Sequence, residues 1–385
     1  MEHKARSMNK ALFCILMIAV ALLGACSGKQ IRAEVPQANV CDRAFLLRFV
    51  DEYLIALAAH DPSRALIAKG AKYTENEKTL PVGEGLWKNL VGLSTFKIYV
   101  PDSVVGQVGF LGVITERNPV IRRPDGTEPD IRRFPVLFGL RLKVQDRQIT
   151  EIEHIVASHA APLPACNGPI IIEGLPAEFV EEVQRGCRNS RVAAMNLNTP
   201  RPGLVAAVSV AERLTRDQML RIANTYYDSI VQSTGNVAPY ADDCVRRENG
   251  AQTTSNSPEQ SVAVAALMAR GNSDWAKIFT LGCRDQINTR ALSYITSIEG
   301  RRVQIADPET GLVFAFSMFR RPLEERTIKI IGVPDIQNII QDGTPSTRMW
   351  GHVFKIRSGN IHEIEAVGGL NLPLDSDSVW DGEGK

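Results

Sequence analysis

Two glutamate–asparagine pairs, Glu75-Asn76 and Glu248-Asn249, carry the residue types that could do proton chemistry in this chain. A carboxylate moved into apolar surroundings has its pKa raised and can act as a general acid or base. A neighbouring amide can polarise a carbonyl or orient a hydroxyl. The competing reading is structural, because Asn tolerates left-handed turn geometry and Glu can cap nearby amides. The pair recurs at the same point of two similar segments. That recurrence favours the structural reading, since catalytic residues often survive in only one of two copies.

Tyr73, Trp87, Tyr99 and Phe110 could line an aromatic substrate pocket, or simply fill a core. Arg141, in a strand, could bind an anionic substrate, with a solvated strand face as the alternative. Among the histidines, His352 is the more plausible base of the second segment. His362 and Glu363 alternate along a strand, point opposite ways and cannot chelate together. No convergent metal set, phosphate loop, dinucleotide fingerprint or nucleophile elbow is present, so metal and cofactor are both expected to be none. Asp102 and Asp307, each before a strand, read as turn residues.

The elements that must position these residues come in two similar copies. Residues 43–76 align without a gap onto 216–249, matching Arg43, Leu47, Tyr53, Glu75 and Asn76 with Arg216, Leu220, Tyr226, Glu248 and Asn249. Each copy opens with an amphipathic helix, capped by Asp42 in the first and Thr215 in the second. Each closes with two alternating strands around a polar turn, Leu142–Val144 with Ile149–Glu153 and Phe354–Ile356 with Ile361–Glu365. The second copy carries about 39 extra residues, mostly between Asn249 and Val303. Helix, loop and several antiparallel strands per copy indicate α+β with curved meanders rather than alternating βαβ. The expected boundaries are 41–160 and 215–370 for the two domains, 161–214 for a linker and 371–385 for a polar tail.

Forty-four basic and 43 acidic residues leave a net charge of +1, which argues against nucleic-acid binding. Lys4, Arg6 and Lys10 precede an apolar run, Ala11–Leu23, too short to span a bilayer as an ordinary helix. The run ends in Leu23-Gly24-Ala25-Cys26, which resembles the lipobox of bacterial lipoproteins. The resemblance implies a signal peptide over 1–25, lipid on Cys26, a tether over 26–40 and a net charge of −1 after cleavage. With Ser27 after the cysteine, it implies an outer-membrane anchor facing the periplasm. Five further cysteines then stand in an oxidising compartment, with Cys244–Cys283 the first candidate disulfide and Cys166–Cys187 the second.

The first copy, through Asp51-Glu52-Tyr53-Leu54, Lys72–Asn76, Gly83–Trp87 and Leu140–Val144, resembles the SnoaL-like branch of the nuclear transport factor 2-like superfamily. The second, through Arg247–Gly250 and Gly311–Phe316, resembles tandem members of that branch, mostly of unassigned function. The resemblance implies two cone-shaped rolls, each a curved sheet wrapped around helices with an apolar pocket. In single-domain relatives the outer sheet faces pair, so the two copies could form an intrachain pseudo-dimer, with homo-oligomers also open. Members include isomerases, dehydratases, hydrolases, cyclases, lyases and binding modules. The expected function is a cofactor-independent lyase, isomerase or hydrolase acting on a small apolar or aromatic molecule by general acid–base chemistry. The alternative is a non-catalytic periplasmic binding or envelope-associated lipoprotein.

Overall fold

Asp42 accepts a hydrogen bond from the Phe45 amide at 2.7 Å and starts α1 (Arg43–Ala58). The helix buries Phe45, Leu46, Phe49, Val50, Tyr53, Leu54 and Leu57 on one face. After it come β1 (Ile67–Glu75), β2 (Lys78–Thr79), α2 (Leu86–Asn89), β3 (Leu90–Asp102), β4 (Gln107–Arg117), β5 (Arg133–Gln145) and β6 (Gln148–Ala157). The strands form one six-stranded sheet in the order β2-β1-β6-β5-β4-β3. This computed structural model describes residues 41–117, 133–157, 197–267, 273–341 and 344–380. The signal segment, Cys26, the tether, Cys166 and Cys187 lie outside the described residues. Among the described residues no helix is long and apolar enough to cross a membrane.

The second half repeats that order. After a short α3 (Pro202–Val205), Thr215 and Gln218 form a reciprocal capping box at the start of α4 (Arg216–Val231). Then follow β7 (Tyr240–Glu248), β8 (Ala251–Gln252), α5 (Pro258–Leu267), α6 (Ser273–Phe279), α7 (Cys283–Asn288), β9 (Ser297–Asp307) and β10 (Leu312–Arg321). A small hairpin, β11 (Thr327–Lys329) with β12 (Asn338–Ile340), precedes β13 (Ser346–Arg357) and β14 (Asn360–Leu372). The second sheet runs β8-β7-β14-β13-β10-β9, strand for strand the order of the first. The inserted polar residues between β8 and β9 fold as the three helices α5–α7, and the Cys244–Cys283 disulfide ties α7 to β7 as expected.

The architecture is mixed α+β, with one correction to the expected antiparallel sheets. β1 pairs with β6, and β7 with β14, in parallel. Period-two alternation marks a strand but says nothing of its neighbour, and these pairings join residues about 80 or more apart in sequence.

Each sheet folds its inner face over its own opening helix, giving one apolar core per half. A third core draws on both sheets, with Ile98, Leu111, Leu137 and Ile155 from the first and Ile305, Phe314, Phe316 and Val353 from the second. Phe314 presses on Gly109, where an added Cβ would lie 2.1 Å from its ring, and Phe316 presses on Gly139 at 2.9 Å. Counted from the hairpin turns, Gly109 and Phe314 are the same position of the two sheets, pairing with Arg141 and Val353 respectively. Two ion pairs cross this contact reciprocally, Arg216 to Asp102 at 2.7 Å and Arg43 to Asp307 at 3.1 Å. The segment after β14 returns to the first sheet, where Trp380 donates to Thr74 Oγ1 at 3.0 Å and lies between Lys72 and Arg141.

Candidate functional site

Asn76 and Asn249 sit at the end of β1 and β7 with φ of 53° and 52°. Their side chains clasp the last strand of their sheet. Asn76 donates to Val156 O at 3.0 Å and accepts from Val156 N at 2.9 Å. Asn249 does the same with Gly368, at 3.2 and 2.9 Å. Both ends of each amide are therefore engaged by backbone, and the geometry is the structural one: left-handed turn residues that pin β1 to β6 and β7 to β14.

The glutamates just before them point inward and meet different surroundings. In the first half, Glu75 accepts from Tyr73 Oη at 2.9 Å and from the Leu86 amide at 2.8 Å, with His154 Nδ1 3.8 Å away. Gly85 leaves the room for this, since a Cβ there would lie 2.6 Å from the carboxylate. His154 is fully buried, and its Nε2 is hydrogen-bonded to Tyr53 Oη at 2.8 Å. Burial holds His154 below the ordinary imidazole range. Burial also works to raise Glu75, but the hydrogen bonds around it win and hold the carboxyl below its ordinary value. The expected upward shift is thus reversed, because an inward carboxylate that collects donors is stabilised as the anion.

The aromatic candidates of this half are core. Tyr73, Trp87 and Phe110 are buried, and Trp87 packs edge-on to Tyr53 at 5.3 Å. Tyr99 packs on Phe110 at 5.1 Å and donates to Asp51 at 2.7 Å. Arg141 does not face solvent. It is 2% exposed, donates to Glu153 at 2.8 Å and to Glu151 at 2.7 Å, and Glu153 in turn holds Arg302 of the second half. The polar face of β5 looked solvated because alternation cannot show that another sheet covers it.

In the second half, Glu248 and His352 line one cavity of ≈ 50 Å³. Its apolar wall comes from Tyr226 and Ile230 of α4, from Leu292, Tyr294 and Ile295 after α7, and from Phe319 and Trp350. Its polar wall adds Arg246, Arg321 and Arg348. A water needs roughly 10–15 Å³ of such space, so about three to five waters, or a group of that size, would fit. Arg246 lies where the first half has Tyr73, two residues before the glutamate. Its guanidinium is buried, donates to Gln286 at 2.6 Å and to Thr253 at 3.1 Å, and pairs with Glu248 at 3.3 Å. Gln286 belongs to α7, so the disulfide-tied insertion anchors this arginine.

His352 is stacked between Phe319 and Phe354, each 5.7 Å away, with Tyr227 Oη 3.2 Å from Nδ1. Burial, reinforced by the Arg246 charge, pushes its pKa down to about 3, so the ring is neutral at physiological pH. A neutral imidazole there can exchange hydrogen bonds with a bound molecule but is a weak base. Glu248, 22% exposed in its side chain, is the carboxylate that reaches the cavity from the strand end.

The three arginines did not stand out in the sequence. The replacement of Tyr73 by Arg246 at the aligned position was the available signal for one of them. Arg321 and Arg348 converge only through strand pairing, Arg348 opposite Phe319 and two residues from the partner of Arg321.

The profile of DUF8021, a domain of unknown function, matches residues 212–368, which contain the whole cavity. No curated protein matches the chain. Among solved structures the chain is similar to AclR, provisionally named a hydroxylase, from Streptomyces galilaeus, at 14% identity and a TM-score of 0.25 over 30% of this chain and 90% of AclR.

Proposed function

We propose that the second half of the chain is a cofactor-independent acid–base enzyme for a small molecule, and that the first half is its structural partner. The observation that carries this reading is the meeting of Glu248 and His352 in one cavity, together with a buried, positively charged Arg246. Glu248 would move the proton, Arg246 would stabilise negative charge developing on the substrate, and neutral His352 would orient it. The aromatic wall suits an apolar or aromatic body. We extend the proposal to the two halves as an intrachain pseudo-dimer of SnoaL-like cones, tethered to the bacterial envelope through Cys26.

For the first half a structural role is supported by its equivalent interior, where Tyr53, Tyr73, Trp87 and His154 are buried and Tyr53 is hydrogen-bonded to His154. The test compares turnover of Glu248→Gln and Glu75→Gln on hits from a lyase, isomerase and hydrolase panel. General acid–base roles are worth typically about 10²–10⁴-fold, so Glu248→Gln should lose at least about 100-fold. Glu75→Gln should stay within about threefold, since the mechanism gives it no role. Equal, unimpaired turnover in both would remove Glu248 from the mechanism.

A further inference from the structure

Beyond β14 the chain forms neither helix nor strand up to Trp380, yet the first half holds it. Within residues 373–380 only Ser378 and Trp380 are buried, while Pro373, Asp375, Asp377 and Val379 are exposed. Two buried anchors among exposed neighbours is how a short peptide engages a preformed surface.

The Trp380 ring lies between the Lys72 ammonium, 3.9 Å from a ring centroid, and the Arg141 guanidinium, 4.4 Å away. Cations suit the electron-rich face of an indole better than that of a phenyl ring. The indole N–H donates to the buried Thr74 hydroxyl at 3.0 Å, a bond phenylalanine could not make. Glu77, in the left-handed turn after β1, accepts from the Val379 amide at 2.9 Å and from the Ser378 hydroxyl at 3.1 Å. Lys72 Nζ donates to the Val379 carbonyl at 2.7 Å, and Arg302 of the second half donates to Ser378 Oγ at 2.7 Å.

The second half has no copy of this surface. At the positions of Lys72, Thr74, Glu77 and Arg141 it carries Val245, Arg247, Gly250 and Val353. The four groups that grip the tail therefore stand together in one half alone, apart from what the repeated fold requires.

We propose that this face of the first half is a recognition groove for a tryptophan-bearing peptide, filled by residues 373–380 of the same chain as a detachable ligand. A short tether gives such a ligand an effective concentration of order millimolar, so it returns to its own groove.

The test titrates a fluorescently labelled peptide of residues 373–385 into the full chain and into its Trp380→Ala variant, read by anisotropy. Trp380→Ala, whose own tail has lost its anchor, should bind the peptide at least tenfold more tightly than the parent. A peptide carrying Trp380→Ala should bind that variant at least tenfold more weakly, and one carrying Ser378→Ala at least threefold. Adding Lys72→Met to the Trp380→Ala chain should weaken the intact peptide at least threefold. Equal binding by parent and variant, or none by a folded variant, would overturn the proposal. So would loss of folding in Trp380→Ala, since the tail would then be part of the fold rather than its ligand. A parent that sediments as a dimer and becomes monomeric in Trp380→Ala would place the tail on a second copy and overturn the assignment within one chain.

Discussion

His154 and His352 occupy opposite sides of the same cross-strand position. Counted from the hairpin turn, the first half pairs Leu140 with His154 and the second pairs His352 with Ala366. Each imidazole enters the interior of its own sheet and meets a tyrosine of the opening helix, Tyr53 in one case and Tyr227 in the other. The tyrosines are likewise displaced by one residue, since Tyr226 is the aligned partner of Tyr53. A buried, neutral histidine is thus present in both interiors, reached from neighbouring strands. The second has a cavity beside it.

We predict that His352 makes stability acid-sensitive. Its pKa falls from an ordinary 6.5 to about 3 in the folded chain. The unfolded chain therefore binds a proton below about pH 6.5 that the folded chain refuses, and stability falls with pH from there toward 3. The slope from this group is about 1.4 kcal/mol per pH unit. Urea midpoints at pH 7 and pH 5 should therefore differ less in His352→Leu than in the parent. The same pH response in both proteins would show that His352 does not set it.

Tyr53 and His154 should behave as one buried unit. Tyr53→Phe leaves the imidazole without its 2.8 Å partner and should cost about 1–3 kcal/mol. Adding His154→Leu removes the stranded group, so the double variant should lose less than the sum of the singles. Strict additivity in a denaturation cycle would contradict the coupling.

The reciprocal ion pairs should prove unequal. Arg216, 20% exposed, meets the wholly buried Asp102, while Arg43, 37% exposed, meets Asp307 at 5% exposure. Arg216→Ala should therefore cost about 3 kcal/mol, as for a buried charge left unpaired. Arg43→Ala should cost less, about 1 kcal/mol, because Arg43 is the more exposed arginine and Thr310 and the Glu309 amide still donate to Asp307. Reversed magnitudes in urea unfolding would argue against burial as the deciding factor.

Reduction should loosen the cavity wall. The Cys244–Cys283 bond closes a 39-residue separation, for which chain entropy gives about 4 kcal/mol. Cys283→Ala should lower the melting temperature and raise hydrogen exchange across α5–α7, leaving β3–β6 unchanged. Uniform loss of protection in both halves would mean the bond does not act locally.

Local signals were readable from the residues, and long-range ones were not. Both helix caps, the closing hairpins and the Cys244–Cys283 pair follow from neighbours in sequence or from simple spacing. The parallel β1–β6 pairing does not, nor does the burial of Arg141 under a second sheet. Glu248 and His352 were visible as candidates from chemistry. Their meeting place was not, because the Leu292–Ile295 wall and the Arg321–Arg348 pair assemble only through pairing of distant segments.

The contact between Gly109 and Phe314 sets a rule for which halves can mate. The ring belongs to one sheet and the gap to the other, at one shared position. Pairing the first sheet with a duplicate of itself would bring two gaps together and forfeit the filled core. Pairing the second with its duplicate would force two rings into one space. The ring carried by one sheet and the gap carried by the other make the contact a key and a lock on a single chain.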